Sequence, residues 1–197
     1  NFLILGIIYM GIMMASSLYL APPKADEIPQ QDASLKMQAD AAQPEYAAAL
    51  PQFSLAQAMK QWQFYTIWWL FFVNITCGIA LLAVASPMAQ EVVHMSPMAA
   101  ASMVGLIGLM NGAGRIAWAT VSDYIGRANT YLLFFAIEIA AFFRLSMETN
   151  ALSFQIIVLL IITCYGGGFS CMPAYLSDLF GIKALSAIHG RILTAWG

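Results

Sequence analysis

From Trp62 to Gln90 the chain carries no charged side chain, and residues 1–20 carry none either. An α-helix rises ~1.5 Å per residue, so about 20 apolar residues cross the ~30 Å hydrocarbon core of a bilayer. Comparable apolar runs follow from about Pro97 to Ser122, Thr130 to Ser146 and Leu152 to Tyr175, and another starts near Leu185. The second run is expected to stop as a helix near Ser86-Pro87, where the proline breaks the pattern. Lipid offers backbone groups no hydrogen-bond partner, so spans of this length are helical. The residue alternation of a lipid-facing strand is absent. The pattern predicts an all-α membrane protein, a helical bundle of about five complete transmembrane helices plus the start of a sixth.

Composition agrees with this reading. The chain is 61% hydrophobic and 9% charged, whereas about a quarter of the residues in a soluble domain are charged. A formal net charge of -2 excludes a basic nucleic-acid binder. Cys77, Cys164 and Cys171 lie in apolar runs without zinc-ligand spacing and read as small buried hydrophobes. No Walker, HExxH, GxSxG or haem-attachment sequence occurs, so neither an enzyme nor a cofactor is expected. Apolar sequence begins at Asn1 and the helical pattern reaches Gly197, so the chain reads as a fragment of a longer membrane protein.

Residues 21–60 differ. PPKADEIPQQDASLKMQADAAQPEYAAALPQ is rich in Pro, Gln, Ala and acids and reads as a long connecting loop. Phe53 to Lys60 is expected to form a short surface helix leading into the second span. Lys24, Lys36, Lys60, Arg127 and Lys183 fall in the loops after the first, third and fifth spans. By the positive-inside rule those loops are cytoplasmic.

Few polar residues interrupt the spans. Arg115 sits inside the third span, where a buried charge is costly and suggests a task such as holding an anion. Gly108, Asn111, Arg115 and Trp118 recur at spacings of three and four and are expected to share one face. That face offers a guanidinium, an amide and an indole beside a glycine, and guanidinium grips a carboxylate in bidentate fashion. Snorkelling of Arg115 toward the helix end is the alternative. Glu138 in the fourth span is a candidate for proton coupling, for pairing with a basic residue, or for a silent protonated state. Asn74, on one face with Gly78, can reach a ligand or bond a neighbouring helix. Tyr165 and Phe169 stand one turn apart on the fifth span and can form an aromatic wall, although packing or interfacial anchoring is the ordinary role of such rings.

Asp123, Gly126 and Arg127 form a tight turn after the third span. Arg127 is placed to pair with Asp178 near the end of the fifth span, either as a gate or as a simple cap of two helices, with His189 and Arg191 close by. Gly105, Gly108 and Gly112 on the third span, and Gly166, Gly167 and Gly168 with Pro173 on the fifth, are expected to allow close packing and to interrupt or bend their helices.

The Asp123–Arg127 turn resembles the loop signature of the major facilitator superfamily: Gly, three residues, Asp, a basic residue, any residue, Gly, Arg. Asp123, Gly126 and Arg127 match, while Ala119 stands for the leading Gly and Tyr124 for the basic residue. The segments LFFVNITCGIALLAVASPMAQE, LMNGAGRIAWATVSDYIGR, TCYGGGFSCMPAYLSDLFG and SAIHGRILTAWG are similar to the oxalate/formate antiporter family, a branch of the monocarboxylate carriers.

The resemblance implies a twelve-helix carrier of two six-helix halves around a midplane site. Residues 1–20 would then be the sixth helix of the parent, 21–60 a cytoplasmic interdomain loop, and 61–197 a C-terminal bundle truncated in its eleventh helix. The N-terminal six-helix half would be missing. Such carriers hold a small carboxylate between basic residues of the eighth and eleventh helices among aromatic side chains. Arg115 takes the eighth-helix position and Trp196 lies where the eleventh helix supplies an aromatic wall. The implied function is secondary active transport of oxalate-, formate-, lactate- or pyruvate-type anions by alternating access, in a bacterial cytoplasmic membrane. A non-transporting sensor or scaffold with the same fold is the alternative.

Overall fold

A computed structural model describes Ile7, Met10, Gly11, Met14 and residues 52–197. Those first four residues are helical. The remainder of the span expected over 1–20, and the connecting segment up to residue 51, lie outside the described residues. The others form α1 (Leu55–Ala58), α2 (Trp62–Glu91), α3 (Pro97–Ile125), α4 (Arg127–Leu145), α5 (Ala151–Phe180) and α6 (Leu185–Ile192), then a 3-10 turn over Leu193–Ala195. No strand occurs among the described residues. Helices α2 to α5 are each long and apolar enough to cross a membrane, and they correspond to the second to fifth runs.

Local chemistry sets the helix ends. The Ser96 hydroxyl accepts from the Ala99 N–H at 3.2 Å and Pro97 opens α3, where its missing N–H costs nothing. The Asn150 side chain accepts from the N–H groups of Leu152 and Ser153 at 3.0 and 3.1 Å, starting α5. Gly126 and Gly181 end α3 and α5 at φ of +86° and +77°, a left-handed conformation that disfavours side chains. Ser54 and Gln57 close a capping box around α1, the expected surface helix.

Two expectations about interruptions are corrected. Helix α2 does not stop at Ser86-Pro87 but continues through Pro87 to Glu91. Helix α5 runs unbroken through Gly166–Gly168 and Pro173 to Phe180. Apolar membrane-length helices tolerate such residues because neighbouring helices and side chains compensate for lost backbone bonds.

Helix α5 is the centre of the bundle. Half of its apolar stretch is buried, against 22% for α3. Its glycines admit close approach by the other helices. A Cβ added at Gly166 would collide with the Asn111 carbonyl of α3, and one at Gly168 with the Asn74 amide of α2. One at Gly167 would come within 2.7 Å of Trp118 on α3 and 2.8 Å of Phe134 on α4. On α3, Gly114 lies against the Thr163 backbone just as closely. Two apolar clusters divide α5 between Ile162 and Cys164. One is rich in rings, including Phe64, Phe71, Tyr131, Phe134 and Phe180. The other is largely aliphatic, including Leu81, Met103, Ile107, Val158 and Ile161.

Gly166→Val is expected to destabilise the full-length protein by about 1–3 kcal/mol, because a backbone carbonyl cannot move aside cheaply. Nothing from elsewhere in the structure lies within 4 Å of a Cβ built on Gly105, and that position is expected to accept alanine without loss. Thermal unfolding in detergent distinguishes the two variants, and equal melting points would contradict the close approach at Gly166.

Candidate functional site

The buried residues of α3 are Ala100, Met103, Ile107, Gly114 and Ser122, and this helix meets α5 along a seam at Gly114. Asn111 and Trp118 continue it. The Asn111 carbonyl and Oδ1 lie against Gly166. The Trp118 indole N–H donates to the Thr163 hydroxyl at 3.2 Å, and its ring meets Phe134 edge-on at 5.0 Å. Gly108 and Arg115 stand at the open edge of the seam. Nothing approaches within 4 Å of a Cβ built on Gly108, and Arg115 is exposed. The expected common face of Gly108, Asn111, Arg115 and Trp118 therefore splits into a packed pair and an open pair. Trp118 has its only donor engaged by the neighbouring helix.

Arg115 lies over the ring of Phe169, with Cζ 5.4 Å from the centroid. No salt bridge to Arg115 occurs among the described residues. Helix α3 extends to Ile125, so ten residues, or ~15 Å, separate Arg115 from its end. That is farther than the sequence pattern indicated, and the side chain rests on a mid-helix ring of α5.

Phe169 is the hub of the wall. Its ring meets Tyr165 at 5.3 Å, Phe71 at 5.1 Å and Trp196 at 6.1 Å, all edge-on. The structure thus brings Arg115, Tyr165, Phe169 and Trp196 together from three distant parts of the chain. Tyr165 is buried and packs on Gly78, while Trp196 is exposed. Phe71 was not singled out from sequence. Its signal was its position one turn before Asn74 on the same face of α2. The terminal segment bearing Trp196 is also fastened to α2, where the Trp68 indole donates to the Thr194 hydroxyl at 3.1 Å.

Asn74 does not reach this wall. It is fully buried and donates to Glu138 Oε1 at 3.2 Å and to the Cys164 carbonyl at 3.5 Å. Glu138 is 2% exposed and lies between α2 and α5. Of the alternatives open to Asn74, bonding across helices is the one observed.

The Asp123–Arg127 turn joins three helix ends. Arg127 begins α4 and pairs with Asp123 of α3 at 2.5 Å and with Asp178 of α5 at 3.7 Å. It also donates to the Ser122 hydroxyl. Only Gly126 separates α3 from α4. Arg191 and Thr194 line a separate cleft of about 420 Å³ with Met59, Phe64, Tyr65 and Trp68. No cluster of three or more His, Cys, Asp or Glu residues suited to a metal occurs among the described residues.

Residues 1–197 match the family model of the Major Facilitator Superfamily. Among curated proteins, the chain is similar to the uncharacterized MFS-type transporter YhjX of Escherichia coli, with 25% identity over 146 residues covering 74% of this chain and 36% of that protein. It is 27% identical over 148 residues to apicoplast pyruvate carrier 1 of Toxoplasma gondii, covering 71% of this chain and 26% of that protein. It is 27% identical over 143 residues to the oxalate:formate antiporter of Oxalobacter formigenes, covering 70% and 33%. The chain therefore spans between 26% and 36% of the length of these relatives. No solved structure gives a significant match.

The Trp118–Thr163 bond makes a double-mutant cycle informative. Trp118→Phe and Thr163→Val are each expected to destabilise by about 0.5–1.5 kcal/mol, and the double variant by little more than either. Thermal unfolding in detergent measures all three. Fully additive losses would mean that the two side chains do not interact.

Proposed function

The chain belongs to the Major Facilitator Superfamily, and from that premise we propose that it forms the C-terminal bundle of a secondary active carrier for small carboxylates. In this reading residues 1–20 are the sixth helix of the carrier and 21–60 a cytoplasmic interdomain loop. Residues 61–197 are the C-terminal bundle up to its eleventh helix. A separate six-helix half closes the site from the other side. The membrane is a bacterial cytoplasmic membrane, with the basic residues Lys60, Arg127 and Lys183 on its inner side.

One observation carries the proposal. The Arg115 guanidinium has no acidic partner among the described residues and lies on the face of Phe169. A cation mid-way along an apolar helix needs a counter-charge, and a small anion supplies it. Guanidinium presents paired N–H groups that match a carboxylate. The rings of Phe169, Tyr165 and Trp196 flank that pair, and closure of the other half over this open face would exclude water and strengthen it. Asn111 lies one turn away, packed into the seam against Gly166, and would reach the anion only through its amide N–H groups. Two relatives are named as a pyruvate carrier and an oxalate:formate antiporter, and all three named compounds present a carboxylate. Trp118 and Asn74 support the site from behind.

Transport proceeds by alternating access, with two bundles rocking about the anion. The Arg127 clamp to Asp123 and Asp178 holds the cytoplasmic ends of α3, α4 and α5 together, and its charges are the contacts that reform in each cycle.

Two outcomes test this reading in the full-length carrier reconstituted in liposomes. Arg115→Lys, which keeps the charge but loses the fork, is expected to reduce counterflow of labelled formate, oxalate, lactate or pyruvate strongly. Arg115→Gln is expected to nearly abolish it. Wild-type counterflow in Arg115→Gln would remove Arg115 from the site. For the gate, Asp123→Asn is expected to shift the balance between outward- and inward-facing states. Thiol-reagent accessibility from both sides reads that balance, and an unchanged pattern would exclude a gating role.

A further inference from the structure

Glu138 and Glu148 are buried acidic side chains among the described residues, and their surroundings differ. Glu148 lies beyond the end of α4, pairs with Arg144 at 2.9 Å and accepts from the N–H groups of Thr149 and Asn150 at 3.1 and 3.0 Å. Glu138 lies within α4 and is 2% exposed. Its Oε1 accepts one bond, from Asn74 at 3.2 Å, and its Oε2 is buried without a partner. No basic residue pairs with it among the described residues. The titratable groups facing it are thiols, Cys77 on α2 and Cys164 on α5.

The hydrogen-bond inventory is short of donors. Asn74 Oδ1 is also buried without a donor and lies against Gly168. Glu138 Oε1 and the Cys164 carbonyl thus share the Asn74 amide as donor, while Glu138 Oε2 and Asn74 Oδ1 are left without one. The Asn74 amide supplies the two strong donor hydrogens here, the thiols of Cys77 and Cys164 being weak donors. An ionised carboxylate with one amide partner and no cation carries a burial penalty of several kcal/mol. One proton removes the charge and adds the missing donor.

This acidic pocket connects to the anion wall through direct packing. Tyr165 follows Cys164, whose carbonyl accepts from Asn74. The Tyr165 ring packs on Gly78, one turn after Asn74 on α2. Tyr165 in turn meets Phe169, which carries Arg115. A shift of Tyr165 as an anion binds would therefore move the two elements that enclose Glu138.

We propose that Glu138 binds the proton that this carrier moves together with its anion, and that Asn74 is the positioning residue for its carboxyl group. The proposal rests on the carboxylate-carrier reading and selects proton-coupled transport within it. Water on one side delivers one proton to the carboxylate, and the carboxylic acid returns it to water on the other side. Only the O–H bond changes, and a proton with a monovalent anion crosses without net charge.

The test uses the full-length carrier in liposomes loaded with a pH-sensitive dye, with labelled pyruvate, formate and oxalate as probes. Glu138→Gln, a fixed mimic of the protonated side chain, is expected to keep counterflow of the transported acid within about twofold. It is also expected to lose accumulation driven by an inward proton gradient and the accompanying internal acidification. Asn74→Ala is expected to shift the pH midpoint of uptake, which a purely structural role would leave in place. Gradient-driven accumulation and acidification at wild-type levels in Glu138→Gln would overturn the proposal. Wild-type counterflow without any proton coupling would overturn it too, while leaving the carboxylate-carrier reading intact. Absence of counterflow for every acid would instead remove that reading and this proposal with it. Should Glu138→Gln fail to fold, infrared spectra of the wild type decide. A carboxylic-acid C=O band that changes on adding pyruvate, formate or oxalate supports the assignment, and an unchanging spectrum refutes it.

Discussion

At Gly166, Gly167 and Gly168 the backbone of α5 meets three other helices at one level. Lipid tails are as apolar as leucine, so helices in a bilayer associate through close packing and polar contacts rather than through expulsion of water. Small residues let the backbones approach, and dispersion attraction strengthens as the two surfaces close together. Here the approach also delivers polar groups to defined places. The Gly168 carbonyl accepts from the Tyr131 hydroxyl of α4 at 2.6 Å. Asn74 and Asn111 press their amide oxygens onto the glycine surface from α2 and α3. The polar layer of this bundle exists because α5 has no side chains where the other helices arrive.

The same packing fixes the direction of Arg115. Gly114 is held against the Thr163 backbone, and the next residue on a helix is turned by about 100°. Arg115 is thereby directed off the seam and toward its edge. Phe169 lies on α5 six residues beyond Thr163, within reach of the guanidinium. A larger residue at position 114 would rotate or separate α3 and carry the cation with it. The aromatic hub is braced in turn by Tyr165, Phe71 and Trp196, so the site's geometry derives from the helix seam rather than from a loop.

Charge-free runs made the spans legible, because the bilayer fixes both their length and their secondary structure. The Arg127–Asp178 pairing was also legible, since a short turn and a helix end leave few partners for a cation. Helix interruptions were not. Pro87 and the three glycines carry the same local signal in a broken helix as in a packed one, and only the neighbours decide. The split between Trp118 and Arg115 was hidden for a related reason. Periodicity groups residues by angle, but Thr163, which engages Trp118, is distant in sequence. Asn74 and Glu138 each stood out as polar residues in apolar helices. Their hydrogen bond required knowing that α2 and α4 cross at that level.

The seam along α5 and the clamp at Arg127 differ in strength. At Gly114 and Gly166–Gly168, backbone meets backbone, amide or ring with no room for a Cβ, and separation there would forfeit the packed contacts together. At the Arg127 clamp, the carboxylates of Asp123 and Asp178 are 63% and 44% exposed, and ion pairs this open contribute about 0–1 kcal/mol each. A structure built this way yields at the clamp before it yields at the seam. In a carrier of the proposed kind that ordering is what alternating access requires. In such a carrier the bundle would rock as a rigid unit around Arg115, while weak charged pairs at one end would break and reform with the solvent supplying their replacement.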